Sequence, residues 1–327
     1  MSDPIAQPVD VVQAIPAGQI VYGMQLPIQS QSTLYVADWE KAARVDDLGH
    51  IAQVADDAGF FYIGVCDHTA IPERLADAMG TTWYDTVATL GWLAALTKRT
   101  HLLSHVLILA QRHPLRAAKE LSTIDHLSGG RLIVGVGAGH VPEEYELLTG
   151  DFDARGRHTD EAVSALALAF TSEFPVLPGP RFPASGLGIS PRPVRQPRPP
   201  IWIGGSSPAA IRRTAAFGDG WLPQGTRRAD LPGQIARLRQ LRDELRGGAP
   251  VDIGTIVEPI HLTHGPSDWK LPGYILQGGA DEVASSLREL TAMGVNHLQV
   301  RFMARSVEEF CEQTAAFGAE VGPLLNS

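Results

Sequence analysis

Cysteine is nearly absent from this chain: Cys66 and Cys311 are the two in 327 residues. Two are too few for a disulfide framework and fit a reducing compartment. No apolar run approaches the length that spans a bilayer. The start, MSDPIAQPVDVVQAIPAGQ, lacks the basic residues and apolar core of a secretion signal. A cytoplasmic location is therefore the expectation. Dense Lys/Arg runs are missing as well, and the net charge is −9. That balance argues against nucleic acid or an anionic membrane surface as a partner. A Walker lysine motif is also absent.

What is present is ordinary for a soluble globular protein: 44% hydrophobic and 19% charged residues. Residues 1–18 read as an arm, either poorly ordered or packed on a partner subunit, and residues 19–327 as one domain. Past the arm, short apolar runs alternate with helical stripes. The runs are Ile20–Leu26, FFYIGVC, HLLSHVLIL, RLIVGV, PPIWIG, DGWLP, DIGTIVEPIHL and NHLQVRF. Eight such units in sequence are what a (β/α)8 TIM barrel needs. A doubly wound sheet is the rival, because local pattern does not reveal closure. One interval breaks the rhythm. Residues 173–199 are rich in proline and glycine, an insertion that is either an excursion over the barrel mouth or a solvated decoration. A small hairpin is expected around Leu187–Val194.

In a barrel the chemistry gathers where strands end. The second run ends in Cys66-Asp67-His68, which puts an acid and an imidazole at the mouth, or simply a turn in which Asp67 binds its own backbone. In the third run, His101 and His105 are about 13 Å apart on a strand, too far to share an ion, so no metal is expected. Ser104-His105 marks either a distortion facing a ligand or a satisfied core histidine. The fourth run enters Gly137-Ala138-Gly139-His140. With Gly135, its glycines are spaced by two, and the third glycine of the dinucleotide fingerprint is missing. They still allow close backbone approach by a flat ligand. In IWIGGSSPAAIRRTAAFGDGW, Gly204 and Gly205 permit a turn, Ser207 suits a helix N-cap and Pro208 the first helical position. This is an ordinary corner or a cradle for an anion. Together these residues suit a planar, phosphorylated cofactor.

Three motifs in the same order, DHLSGGRLIVGVGAGHVPEEYE, GRHTDEAV and PPIWIGGSSPAAIRRTAAFGDGW, resemble the bacterial luciferase-like superfamily of flavin and deazaflavin oxidoreductases. VCDHTAIP and LLSHVLILAQRHP look like its coenzyme F420 branch; the other branch uses FMN and oxygen. The resemblance implies a barrel with insertions and hydride transfer between the deazaflavin and a small organic substrate. It places Asp67 and His68 beside the ring, with His68 moving the proton and His140 as alternate. Gly137, Ala138, Gly139 and His140 would contact the ring or ribityl chain. Gly204, Gly205, Ser206 and Ser207 would take the phosphate. The Ser104–His105 link falls where relatives carry a non-prolyl cis peptide behind the ring. Gln25, Trp83, Tyr84 and Trp221 are substrate-pocket candidates. Relatives that oxidise a sugar phosphate carry Trp and Glu where Pro72 and His140 stand, which speaks against that substrate. Relatives are commonly homodimers. The alternatives are an FMN-dependent monooxygenase and a cofactor-binding protein without turnover.

Overall fold

Apolar runs of three to six residues, buried on nearly every side chain, force each strand to be covered on both faces. In the computed structural model, which describes residues 10–30, 36–148, 150–265 and 269–326, the strands are β1 Val21–Gln25, β2 Tyr62–Val65, β3 His101–Ser104, β4 Leu107–Ile108, β5 Leu132–Gly137, β6 Ile201–Gly204, β7 Gly220–Leu222, β8 Asp252–Ile256, β9 Ile260–Leu262, β10 Leu276–Gly278 and β11 His297–Gln299. The helices are α1 Val45–Asp57, α2 Glu73–Met79, α3 Thr86–Leu96, α4 Pro114–Ser128, α5 Pro142–Leu148, α6 Arg155–Thr171, α7 Pro208–Phe217, α8 Leu231–Arg246, α9 Ala280–Ala292 and α10 Val307–Ala316. All pairings in the large sheet are parallel, in the order β3-β2-β1-β11-β8-β7-β6-β5-β4. A further β3–β5 pairing closes it. With β3 and β4 as one interrupted stave, eight staves make the (β/α)8 barrel and rule out the doubly wound sheet.

Large side chains facing glycines fill the interior. Trp202 stacks on His297 with ring centroids 4.3 Å apart, and Tyr62 meets Trp202 edge-on. A Cβ on Gly23 would lie 2.5 Å from the Tyr62 ring, one on Gly220 2.3 Å from Trp202 and one on Gly254 2.0 Å from His297. Only glycine fits at those three positions, and the centre is a packed core rather than a pore.

Three local expectations change. The third run is not one strand, since pairing stops after Ser104 and resumes at Leu107. The seventh run divides at Pro259, which has no N–H for a ladder; its second half, β9, leaves the barrel to pair with β10. No hairpin forms at residues 187–194; the insertion's antiparallel bridge is Leu177–Ala184. The insertion does not roof the mouth either. It links the end of α6 to the start of β6, both at the opposite end of the barrel, and between them reaches only the rim, where Phe182 meets the His113 ring edge-on at the start of α4. It returns along α4, where Asp125 accepts from the Arg195 N–H and His126 meets the Arg192 carbonyl.

Residues 10–18 of the arm lie across the chain's own barrel floor, at the strands' N-terminal ends. The Val12 N–H donates to Asp219 and the Ala14 N–H to Asp252, at 2.9 and 3.2 Å. Val12, Ala14 and Ile15 are buried there. Residues 1–9 of the arm lie outside the described residues.

Candidate active site

Four strand ends build the mouth. At the β3–β4 interruption the chain turns Val106 inward between two glycines. A Cβ on Gly137 would sit 2.5 Å from Val106 Cγ2, and one on Gly204 2.9 Å from Val106 Cγ1. Glycine at both places leaves a smooth apolar shelf around Val106. The cis peptide here is His105–Val106, one bond later than the Ser104–His105 link expected from the sequence. Ser104 is fully buried and donates to the Gly135 carbonyl at 2.9 Å. His105 is 5% exposed, and neither ring nitrogen meets a partner in hydrogen-bond geometry among the described residues. Gln299 lies beside it, and burial pushes its imidazole down to about 4, which keeps it neutral near pH 7.

After β2, Asp67 is committed to holding the mouth together. One oxygen accepts from Thr86 and Arg112 at 3.0 and 2.9 Å, the other from the Ile108 N–H at 2.8 Å. It thereby ties β2 to α3 and to the chain after the stave break. His68 is poised differently. Its Nδ1 lies 2.9 Å from Glu144 Oε2 on α5, and both side chains are largely buried. The other Glu144 oxygen accepts the N–H groups of Thr69 and Ala70 at 2.6 and 3.2 Å. Burial pushes the Glu144 carboxyl up, but the His68 bond, the His68 charge and those two N–H groups outweigh it and hold it below the usual range. The bond to Nδ1 fixes the ring and leaves Nε2 as the working nitrogen.

Around His68 stand Trp83 and His140, edge-on, with centroids 4.4 and 5.5 Å away. Desolvation and then the neighbouring His68 lower the His140 imidazole below its ordinary value, with Glu144 opposing. The loop carrying His140 is pinned by Tyr145, whose hydroxyl donates to the Ala138 carbonyl at 2.7 Å. Gly139 has φ +69°, and a Cβ there would crowd Ile108 and Tyr145 at 3.0 and 3.1 Å.

At the end of β6, Gly205 has φ +107°, a backbone state that glycine alone takes freely. Trp221, fully buried, donates its indole N–H to the Gly205 carbonyl at 2.8 Å. It supports the turn from behind and does not line the pocket. Ser206 Oγ is engaged with Gln224 and Thr226, and Ser207 Oγ caps α7 by accepting from the Ala210 N–H. Both hydroxyls thus have intramolecular partners; since Pro208 has no N–H and those of Ala210 and Ile211 are bonded to Ser207, what the helix start leaves for an anion is the Ala209 N–H with the α7 dipole.

The structure brings His68, His140, Trp83 and the Gly137–His140 loop together, with Gly204–Ser207 across the Val106 shelf from Gly137. Tyr84 is half-buried and bonded through its N–H to Gln29, and Gln25 is half-buried at the end of β1. Of the histidines first compared for a metal pair, His101 turns to the Phe61 carbonyl at 3.0 Å, away from the mouth. The sequence reading missed Glu144 and Arg112. Glu144 stood inside a quoted motif, and its signal was the neighbour pair Glu143-Glu144 at the start of a helix. Glu143 faces solvent and pairs with Arg74, while Glu144 faces in.

These features have parallels in known proteins. The family model described as luciferase-like monooxygenase matches residues 22–263. An uncharacterised protein of Mycobacterium tuberculosis is 28% identical over 285 residues, covering 81% of this chain and 93% of its own. An FMNH2-dependent dimethylsulfone monooxygenase of Pseudomonas putida is 27% identical over 194 residues, covering 58% of this chain and 51% of its own. Among solved structures, the monooxygenase RslO1 from Streptomyces bottropensis superposes with TM-score 0.77 at 20% identity, over 93% of this chain and 99% of that one. An F420-dependent secondary alcohol dehydrogenase in complex with an F420–acetone adduct gives 0.73 at 16% identity, over 94% and 99%. At those identities the structural likeness speaks for the fold.

Proposed function

The chain belongs to the luciferase-like monooxygenase family, and on that premise we propose that it is an oxidoreductase moving hydride between coenzyme F420 and a small organic substrate. The observation that carries this reading is the buried His68–Glu144 pair, 2.9 Å apart, at the rim of a glycine-lined mouth. Hydride chemistry on a hydroxyl or carbonyl needs a proton moved on the same turnover, and an imidazole held by a carboxylate supplies it. The residues present fit a flat phosphorylated cofactor. Gly137 and Gly204 leave the shelf around Val106 open where a Cβ would close it, and the start of α7 offers the Ala209 N–H and its dipole to an anion. When bound, the deazaflavin supplies a carbon that accepts or donates hydride and reacts little with oxygen.

The chain's own residues do the rest. Glu144 keeps His68 Nδ1–H in place, so that Nε2 takes the substrate's proton or returns it. Trp83 packs edge-on against the same imidazole and restricts its tilt. His105, neutral and buried beside Gln299, backs the stave break from inside the barrel. Asp67 with Arg112, Thr86 and the Ile108 N–H fixes the stave break on which Val106 is displayed. Orientation and exclusion of water by these walls supply the larger share of the rate.

The second reading is FMN-dependent monooxygenation on the same barrel, favoured by the likeness to the dimethylsulfone enzyme. Parallel fluorescence titrations of purified protein with F420 and FMN separate the two. Tight F420 binding with weak FMN binding is expected, followed by hydride transfer in an alcohol and ketone screen. Tight FMN binding with weak F420 binding would overturn the proposal.

A further inference from the structure

A cleft away from the mouth holds no residue of the site described above. It runs along the outside of the barrel between α6 and α7, with residues 178–182 of the insertion as its third wall, and encloses about 640 Å³. That is the size of a pocket for a small organic ligand. Its α6 wall is one face of the helix, with Arg157, Glu161, Ala165 and Leu168 at helical spacing.

Charge is distributed unevenly over this cleft. Arg157, Arg181 and Arg212 all line it, and none forms an ion pair among the described residues. The two acids on its wall are already engaged. Asp160 is bonded to Arg213, and Glu161 accepts the N–H groups of Arg181 and Phe182 at 2.8 and 3.1 Å. Inside the cleft wall, Arg181 Nε and His158 Nδ1 are shielded from solvent with no hydrogen-bond partner among the described residues. Apart from Ser164 the rest of the lining is apolar: Ala165, Leu168, Phe182 and Phe217, flanked by Pro178 and Pro180.

We propose that this cleft is a second ligand site, for an amphiphilic organic anion with a carboxylate or phosphate head and an apolar body. The head would be taken by the unpaired arginines, whose planar guanidinium groups match both oxyanions. The body would lie along Ala165, Leu168 and Phe217. Three cations around an apolar trough exclude a neutral apolar ligand as the preferred occupant, and the trough adds affinity that inorganic phosphate lacks.

Calorimetric titration of the full chain with decanoate, decyl phosphate, decanol and inorganic phosphate tests this. One anionic amphiphile should saturate a single site per chain at least tenfold more tightly than decanol and than phosphate. The tighter of the two acids names the head group. R181Q/R212Q should weaken that binding at least tenfold with an unchanged thermal midpoint. Arg212→Glu, at an exposed side chain, should do the same if the double variant proves unstable. His68→Ala should leave it unchanged, separating the cleft from the mouth. Absence of saturable binding at millimolar concentration, equal affinity for decanol, insensitivity to the arginine changes, or loss on His68→Ala would each overturn the proposal.

Discussion

The two ends of the barrel are built from similar residues used in opposite ways. At the floor, charged side chains are tied into the backbone. Arg198 grips both oxygens of Asp219 and the carbonyls of Asp10 and Pro199. Arg242 donates to the carbonyls of Ala215, Gly218, Ala249 and Pro250. Asp56 gathers the N–H groups of Lys98, Arg99 and Thr100. At the mouth, among the described residues, His68 has one nitrogen bonded, His105 has neither in hydrogen-bond geometry, and glycines stand where side chains would close the space. Saturated polar groups hold an end shut, whereas spare capacity beside an open shelf marks the end that meets a ligand.

The largest effect should come from the floor. Arg198→Ala leaves Asp219 charged and buried, and should cost about 3–5 kcal/mol of stability in urea unfolding. Activity per folded molecule should persist; its collapse would mean that the floor is not a purely structural end. The mouth should answer in the opposite sense. His68→Ala should lower kcat/KM on the order of 10²-fold or more, with the unfolding midpoint nearly unchanged. A variant turning over at the wild-type rate would remove His68 from the proton path.

How far these roles could be read from the sequence differs between the ends. The barrel was legible because buried parallel strands leave unbroken apolar runs, and helices such as α4 and α7 carry their own signals: Pro114 and Pro208 at the start, an αL Gly129 after α4. The short helices α2 and α5 were not. α2 buries no side chain and so shows no apolar stripe. The glycine turns and His68 were legible at the mouth because unusual residue types follow buried runs directly. Glu144 was not, since what selects it is a partner 76 positions away. For Trp221, Ser206 and Ser207 residue type suggests a ligand contact, and only the fold shows that the indole and hydroxyl groups also have intramolecular partners.

A pH comparison of the two ends is expected to be somewhat smaller. Asp252, fully buried on the floor, has its carboxyl pushed up to about 6 by burial, against bonds from Asn296 and the Ala14 N–H. An unfolded aspartate titrates near about 3.9. Below about pH 4 both states hold the proton; between about 4 and 6 only the folded state does. Stability from this group is therefore lost as pH rises through that window, by about 3 kcal/mol in total. Glu144 is lowered, so its contribution is present above the unfolded value and lost as pH falls toward the folded one. Relative to Asp252→Asn, the wild type should lose stability from pH 4 to 7; relative to Glu144→Gln it should gain. Slopes of the same sign would contradict this assignment of the two carboxylates.

The smallest effect tests whether the mouth divides internally, as its hydrogen bonds imply. Ser207 sits where a phosphate is expected, yet its hydroxyl caps α7 by accepting from the Ala210 N–H at 3.2 Å. If the helix start binds the anion through the Ala209 N–H and its dipole, removing that hydroxyl should act on the helix and barely on the ligand. Ser207→Ala should cost about 1 kcal/mol of stability and leave F420 affinity within about threefold, a difference under 1 kcal/mol. The same reasoning covers Ser206, whose Oγ ties the turn to Gln224 and Thr226. A tenfold loss of affinity in Ser207→Ala without a stability change would show a hydroxyl exchanging its cap for the ligand. The side chain would then join His68 among the groups that keep bonding capacity for what binds.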